Sequence, residues 1–159
     1  MIRAIFLDVD GTLISFSTHE IPASALRALA QAHERGVRLF IATGRAANDL
    51  GPLEGILYDG VVSLNGARCV ANDGRVVSLH PIPRADFERA LALSEEQGFA
   101  MGLELEEGVF VNRVTPDVER VAHMVAHPVP EQTDLRELFG RVECCQLCFY
   151  FDAETQRLS

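Results

Sequence analysis

The chain of 159 residues contains no lysine, so all 14 of its basic side chains are arginines. Without lysine there is no Gly-x-x-x-x-Gly-Lys loop, which excludes a P-loop nucleotide site. The net charge is -9 and no basic run occurs, which excludes an ordinary nucleic-acid binder, because phosphate backbones need a positive footprint. One small phosphorylated molecule remains compatible with that balance. No apolar run approaches the ~18 residues that span a bilayer, so no membrane partner is expected. The chain enters a strand-like run directly after Met1-Ile2-Arg3, without the layout of a signal peptide. Cysteines are few: Cys69, Cys144, Cys145 and Cys148. With no secretion signal, reduced thiols and a cytoplasmic location are the expectation. Repeats and low-complexity tracts are also lacking.

What is present suffices for a folded core, since 48% of residues are hydrophobic and 23% charged. Residues 3–7 read as a short buried strand closed by the turn residues Asp8 to Gly11. Pro22 suits the first turn of a helix, Leu26, Leu29 and His33 follow at helical spacing, and Gly36 is a stop signal. Residues 37–42 form a second apolar run, ended by Thr43-Gly44-Arg45, and a short helix is predicted over 46–50. Residues 60–64 form a third strand, ended by Asn65-Gly66. Strand and helix alternating in this way predict an α/β parallel sheet with crossover helices. Ligands of such sheets gather beyond the carboxyl ends of the strands. The polar clusters Asp8/Asp10, Thr43-Gly44 and Asn65-Gly66 each follow a strand, so they converge on one edge.

The pattern then changes. Residues 68–70 and 75–80 flank Asn72-Asp73-Gly74, a hairpin signal. Pro81 and Pro83 bracket a boundary, dividing the chain into domains 1–82 and 83–159. The second domain reads as α+β: a helix over 84–97, strands over 100–105 and 109–112, and a helix over 117–126. A linker at 128–130 leads to a strand over 144–151, whose apolar face is Cys145, Leu147, Phe149 and Phe151.

Asp8 and Asp10, two residues apart at a strand end, can divide two tasks. One carboxylate can attack phosphorus, while the other gives and takes the proton. Carboxylate oxygens suit magnesium, which offsets the repulsion between an anionic nucleophile and a phosphate. Gly11 permits the sharp turn whose amides can hold phosphate oxygens. An EF-hand loop also begins Asp-x-Asp-Gly, but its later ligand positions fall here on Thr12, Leu13 and His19, and a strand precedes it. Thr43 can donate to a phosphate oxygen and Gly44 allows close approach, although Thr-Gly-Arg alone is as readily a strand-ending turn, and Asn65-Gly66 alone is more often just a turn. Arg45 could meet a substrate anion or a carboxylate. Cys144, Cys145 and Cys148 straddle both faces of their strand without a fourth ligand, so free buried thiols are the better reading than zinc.

Residues 4–13, Ala-Ile-Phe-Leu-Asp-Val-Asp-Gly-Thr-Leu, resemble the first motif of the haloacid dehalogenase (HAD) superfamily. Ile41 to Arg45 resembles the second motif of its Cof-type phosphatases, with cap class IIB, and Ser63 to Ala67 resembles their substrate-side turn. The second half is similar to their α+β cap. The resemblance implies a partial Rossmann-like core plus a cap, and a magnesium-dependent phosphatase of small phosphorylated metabolites, often sugar phosphates. It implies Asp8 as nucleophile and metal ligand, and Asp10 as acid/base and, through its carbonyl, a second metal ligand. Thr43 and Gly44 would hold the phosphoryl group, with Arg45 and Asn65 near the substrate. A phosphomutase on the same scaffold shares these motifs.

The chain also departs from the family pattern. A third motif with a cationic side chain and a fourth Gly-Asp-x-x-x-Asp motif normally follow the cap, and neither occurs before Ser159. The expectation is a fragment within the cap, with weak or absent turnover by itself. The alternative is a non-catalytic binding or oligomerisation module, a homodimer closing the open sheet edge.

Overall fold

The structure is a computed structural model, and it describes residues 2–15, 17–18, 20–50, 53, 55–125 and 127–151. The chain divides into two compact units, Met1–His80 and Pro81–Ser159.

The first unit contains β1 (Ala4–Leu7), α1 (Ala23–Glu34), β2 (Arg38–Ala42), β3 (Gly60–Ser63), β4 (Arg68–Ala71) and β5 (Val76–Leu79). They form one five-stranded sheet in the order β1-β2-β3-β4-β5. β1, β2 and β3 are parallel, with Phe6 opposite Phe40 and Ile41 opposite Val61. β4 and β5 are the expected hairpin, added antiparallel to β3. In its turn Gly74 donates to the Ala71 carbonyl at 2.9 Å.

Alternation along β2 sends Leu39 and Ile41 to one face. There Ile41 joins Val9, Leu13, Ile14, Leu50, Leu53 and Val61, and Leu29 of α1 packs against the group. On the opposite face Phe6 stacks on Phe40 with ring centroids 4.9 Å apart. Phe6 is nevertheless 61% exposed. The expectation of a buried first strand is therefore corrected: β1 stands at the end of the strand order, and an edge strand has a neighbour on one side only. The short helix expected over 46–50 does not form. Those residues make a single turn, with the Asp49 amide bonded to the Ala46 carbonyl at 3.1 Å. Asn48 and Asp49 favour turns over helix interiors, because their side chains compete for local backbone groups.

The second unit contains α2 (Arg84–Gln97), β6 (Ala100–Leu105), β7 (Gly108–Val111), α3 (Pro116–Met124), β8 (Glu131–Gln132), α4 (Leu135–Phe139) and β9 (Gln146–Tyr150). Its sheet has the order β8-β7-β6-β9. One face carries Met101, Leu103 and Leu105 against Phe87, Leu91, Leu135 and Phe139 of α2 and α4. Ala100, Val111 and Tyr150 on the other face meet Val118 of α3. A polar chain joins α2 to the sheet. Ser94, fully buried, donates to the Phe99 carbonyl at 2.8 Å and accepts from the Asn112 amide at 2.9 Å. The Asn112 oxygen accepts the Met101 N–H at 2.9 Å.

Two expectations change in this unit. β8 and α4 form between the linker at 128–130 and β9, a stretch to which the sequence pattern assigns no element. In β9 both faces are used: Leu147 packs with α2 and α4, while Cys148 and Tyr150 pack with α3. Phe149, expected inside, is 42% exposed. Cys144 and Cys145 are buried, and Cys69 and Cys148 are half-buried. Among the described residues no helix is long and apolar enough to cross a membrane.

Candidate active site

Asp8, Asp10, Thr43, Gly44, Arg45 and Asn65 all lie in the first unit, beyond the carboxyl ends of β1, β2 and β3. Val9 is buried in the core, while Asp8 and Asp10 on either side of it are exposed. The loop is closed by its own backbone. The Val9 carbonyl accepts the Leu13 and Ile14 amides at 3.1 and 2.9 Å, and the Gly11 amide donates to Ile14 at 2.8 Å. Gly11 sits at φ 81°, where a side chain is strained. The Thr12 hydroxyl donates to the Asp8 carboxylate at 3.3 Å.

Arg45 grips Asp10 in a two-pronged contact, Nη2 to Oδ1 at 2.8 Å and Nε to Oδ2 at 2.9 Å. This planar fork is the strong form of an arginine–carboxylate bond. Arg45 is itself held from behind, because Nη1 donates to the Asp49 carbonyl at 3.3 Å and lies 3.6 Å from its carboxylate. The Arg45 hydrogen bonds hold the Asp10 carboxyl below the ordinary carboxylate value, with partial burial opposing them. The same bonds push the Arg45 guanidinium up. Asp10 is thereby kept as a carboxylate.

Thr43 is buried at 6% exposure, and its hydroxyl oxygen accepts the Arg45 N–H at 3.1 Å. That bond uses a lone pair and leaves the hydroxyl hydrogen to turn toward a ligand. After β3 the chain makes a tight 3-10 turn at Leu64–Gly66. Its Leu64 and Asn65 amides donate to the Arg45 and Thr43 carbonyls, each at 3.1 Å. The structure thus joins Asp10 to Arg45, and Asn65 to the Thr43 loop. Residue-type reasoning did not find Asp49 as the support of Arg45, although the two are four positions apart. The chain there is a turn, so helical spacing carried no signal.

Magnesium takes near-octahedral oxygen ligands, keeps several waters, and is commonly bound through one or two carboxylates. The exposed Asp8 carboxylate with the Asp10 backbone carbonyl fits part of such a set. Among the described residues no group of three or more His, Cys, Asp or Glu side chains could hold a metal ion. These residues therefore provide only part of a coordination sphere.

Parallel strands with an acidic loop, a threonine loop and a left-handed turn on one edge define an α/β protein of Rossmann-like organisation. The chain belongs to the haloacid dehalogenase-like hydrolase family, whose model matches residues 5–157. It is similar to a solved phosphatase of the HAD superfamily, BT1666 from Bacteroides thetaiotaomicron: 52% identity, TM-score 0.92, 99% of this chain and 59% of that one covered. It also resembles the subclass IIB sugar phosphatase BT4131, at 29% identity and TM-score 0.83, over 98% of this chain and 61% of that one. YkrA of Bacillus subtilis (strain 168), a candidate phosphatase, is 30% identical over 95 residues, covering 59% of this chain and 36% of its own length. The chain thus spans about three-fifths of the solved relatives and about a third of the curated one.

Proposed function

We propose that this chain carries the nucleophile side of a magnesium-dependent phosphatase acting on small phosphorylated metabolites, sugar phosphates first among them, in the cytoplasm. The observation that carries this reading is the pairing at the end of β1: Asp8 exposed and bonded by Thr12, and Asp10 exposed in the grip of Arg45. In the proposed reaction an Asp8 oxygen attacks phosphorus while the bond to the leaving oxygen breaks, giving an aspartyl-phosphate. Asp10 is the acid/base of this reading: it can carry a proton to the leaving oxygen only once the substrate anion draws Arg45 off its carboxylate, and it then accepts one from the water that cleaves the aspartyl-phosphate. The Thr43 hydroxyl and Gly44 amide hold the non-bridging oxygens, with Arg45 and Asn65 at the substrate's border. Magnesium, held by Asp8 and the Asp10 carbonyl, would neutralise the charge of the transferring group.

The chain has no lysine, and its proposed metal set is partial. Weak or absent turnover of p-nitrophenyl phosphate is therefore expected from the purified chain, and fast hydrolysis abolished by Asp8→Asn would overturn that expectation. The site itself is tested without turnover. Beryllium fluoride, a phosphoryl mimic, should bind with magnesium to the wild-type chain and not to Asp8→Asn, as read by fluorine NMR. Absence of binding to wild type would sink the reading.

A second reading, an assembly module, is favoured by one observation. β1 is an edge strand without proline or charge, and its Phe6 is largely exposed. A second copy would pair there, and sedimentation would show a dimer that Phe6→Glu dissociates. A concentration-independent monomer would count against it.

A further inference from the structure

The turn after β3 is held in a conformation that most residues avoid. Leu64, Asn65 and Gly66 have φ of 49°, 53° and 94°. Glycine takes this left-handed region freely and asparagine tolerates it, but leucine is strained there. The strain is not relieved by swinging the turn outward, because Leu64 is only 5% exposed and anchors it. Strain that persists in this way marks a backbone over-determined by its surroundings.

The surroundings are the phosphate loop. The two consecutive left-handed residues bond the carbonyls on either side of Gly44, Leu64 to Arg45 and Asn65 to Thr43. The Asn65 side chain closes on Gly44 itself. A Cβ built on Gly44 would lie 3.2 Å from Asn65 Oδ1 and 3.3 Å from Nδ2, tighter than an ordinary contact. Gly44 is not among the glycines with positive φ. Its backbone would accept a side chain, but a Cβ there would have to press the Asn65 amide aside by a few tenths of an ångström.

We infer that Asn65 is the positioning residue of the Thr43-Gly44-Arg45 loop, clamping it through the left-handed backbone and through the amide seated on Gly44. The functional meaning of the clamp rests on the phosphatase reading; its existence does not. A loop held at three consecutive residues aims the Thr43 hydroxyl and the Gly44 amide without reorganising when an anion arrives, which is how fixed donors gain strength.

The test is a double-mutant cycle on the whole chain, read by amide NMR and by titration with inorganic phosphate in the presence of magnesium. Asn65→Gly keeps the left-handed turn but removes the side chain. It should displace the amide signals of residues 43–45 while leaving those of β5 in place, and weaken phosphate binding about three-fold or more. Gly44→Ala should disturb the same signals in the wild-type background and far less in Asn65→Gly, where nothing opposes the new methyl group. Additive effects of the two substitutions, or an Asn65→Gly spectrum with unmoved loop signals, would overturn the clamp. If Gly44→Ala fails to fold alone but folds together with Asn65→Gly, that rescue also supports it. Coupled loop signals without any phosphate binding would leave the clamp standing and defeat the phosphatase reading.

Discussion

Removing the Arg45 fork should change how Asp10 titrates. In Arg45→Gln the Asp10 titration midpoint, followed by carboxyl carbon NMR, should rise toward the ordinary 3.8. The native pKa lies below the unfolded one, so the pair's stabilisation is present above that ordinary value and is lost as pH falls through the native pKa. The carboxylate is 44% exposed, so the effect on unfolding should stay below about 1 kcal/mol. Asp10's titration, rather than global stability, is the informative readout. The thiols of Cys144, buried, and Cys148, half-buried, point to the opposite end of the scale. Burial, first, pushes Cys148 up to about 12 and Cys144 up to about 11, from an ordinary 9.0. A raised native pKa means stability present below pH 9.0 and lost as pH rises through 11 and 12. Unfolding by urea should therefore become easier across that alkaline window, and Cys144→Ser with Cys148→Ser should flatten the decline. Both thiols should also resist alkylation at neutral pH, because the thiolate is the reactive form.

Elements are held by a few polar contacts whose loss is measurable. Ser94 is a donor and an acceptor in one buried chain, so Ser94→Ala strands the Asn112 amide and the Phe99 carbonyl. Leaving buried groups unbonded costs roughly 1–3 kcal/mol, readable in a urea titration. The short α4 depends on its cap, since the Asp134 carboxylate accepts the Arg136 and Glu137 amides at 2.9 and 3.1 Å. Asp134→Ala should cost about 1 kcal/mol. The ion pairs of Arg136 with Glu88 and Glu95 join the same helix to α2, but they are exposed and add little. A helix of five residues is decided by cap and packing rather than by propensity, which is why it escaped pattern reading while α1 and α2 did not.

At the scale of the whole molecule, each unit has its own core. Chemical denaturation should therefore resolve into transitions that respond to different substitutions. Phe87 stacks on Phe139 at 4.1 Å and is fully buried, so Phe87→Ala should destabilise the second unit by about 3–5 kcal/mol. Ile41→Ala should act on the first unit. The two tyrosines, Tyr58 and Tyr150, lie one in each unit, and there is no tryptophan to mask them. Tyrosine fluorescence of Tyr58→Phe then reports the second unit alone, and a Phe87→Ala shift absent from that signal would refute the assignment.

What the amino-acid sequence determined by itself is local. The strand end placed Asp8 and Asp10 in one loop, and Gly11 set the turn behind them. Pro22 and Gly36 marked the ends of α1, and Asn72-Asp73-Gly74 marked the hairpin. Each of these depends on a residue's own backbone preference or on neighbours within a turn. What only the tertiary structure decided depends on residues distant in the chain. Strand order left β1 at an edge with Phe6 exposed, and the presence of α3 gave β9 two used faces. Arg45 was brought 35 positions back to Asp10. Packing against the Thr43 loop, with Leu64 buried, holds Leu64 and Asn65 left-handed, a conformation their identities alone would not impose. Propensity acts along the chain, whereas burial, charge pairing and strain are settled by what folding places alongside.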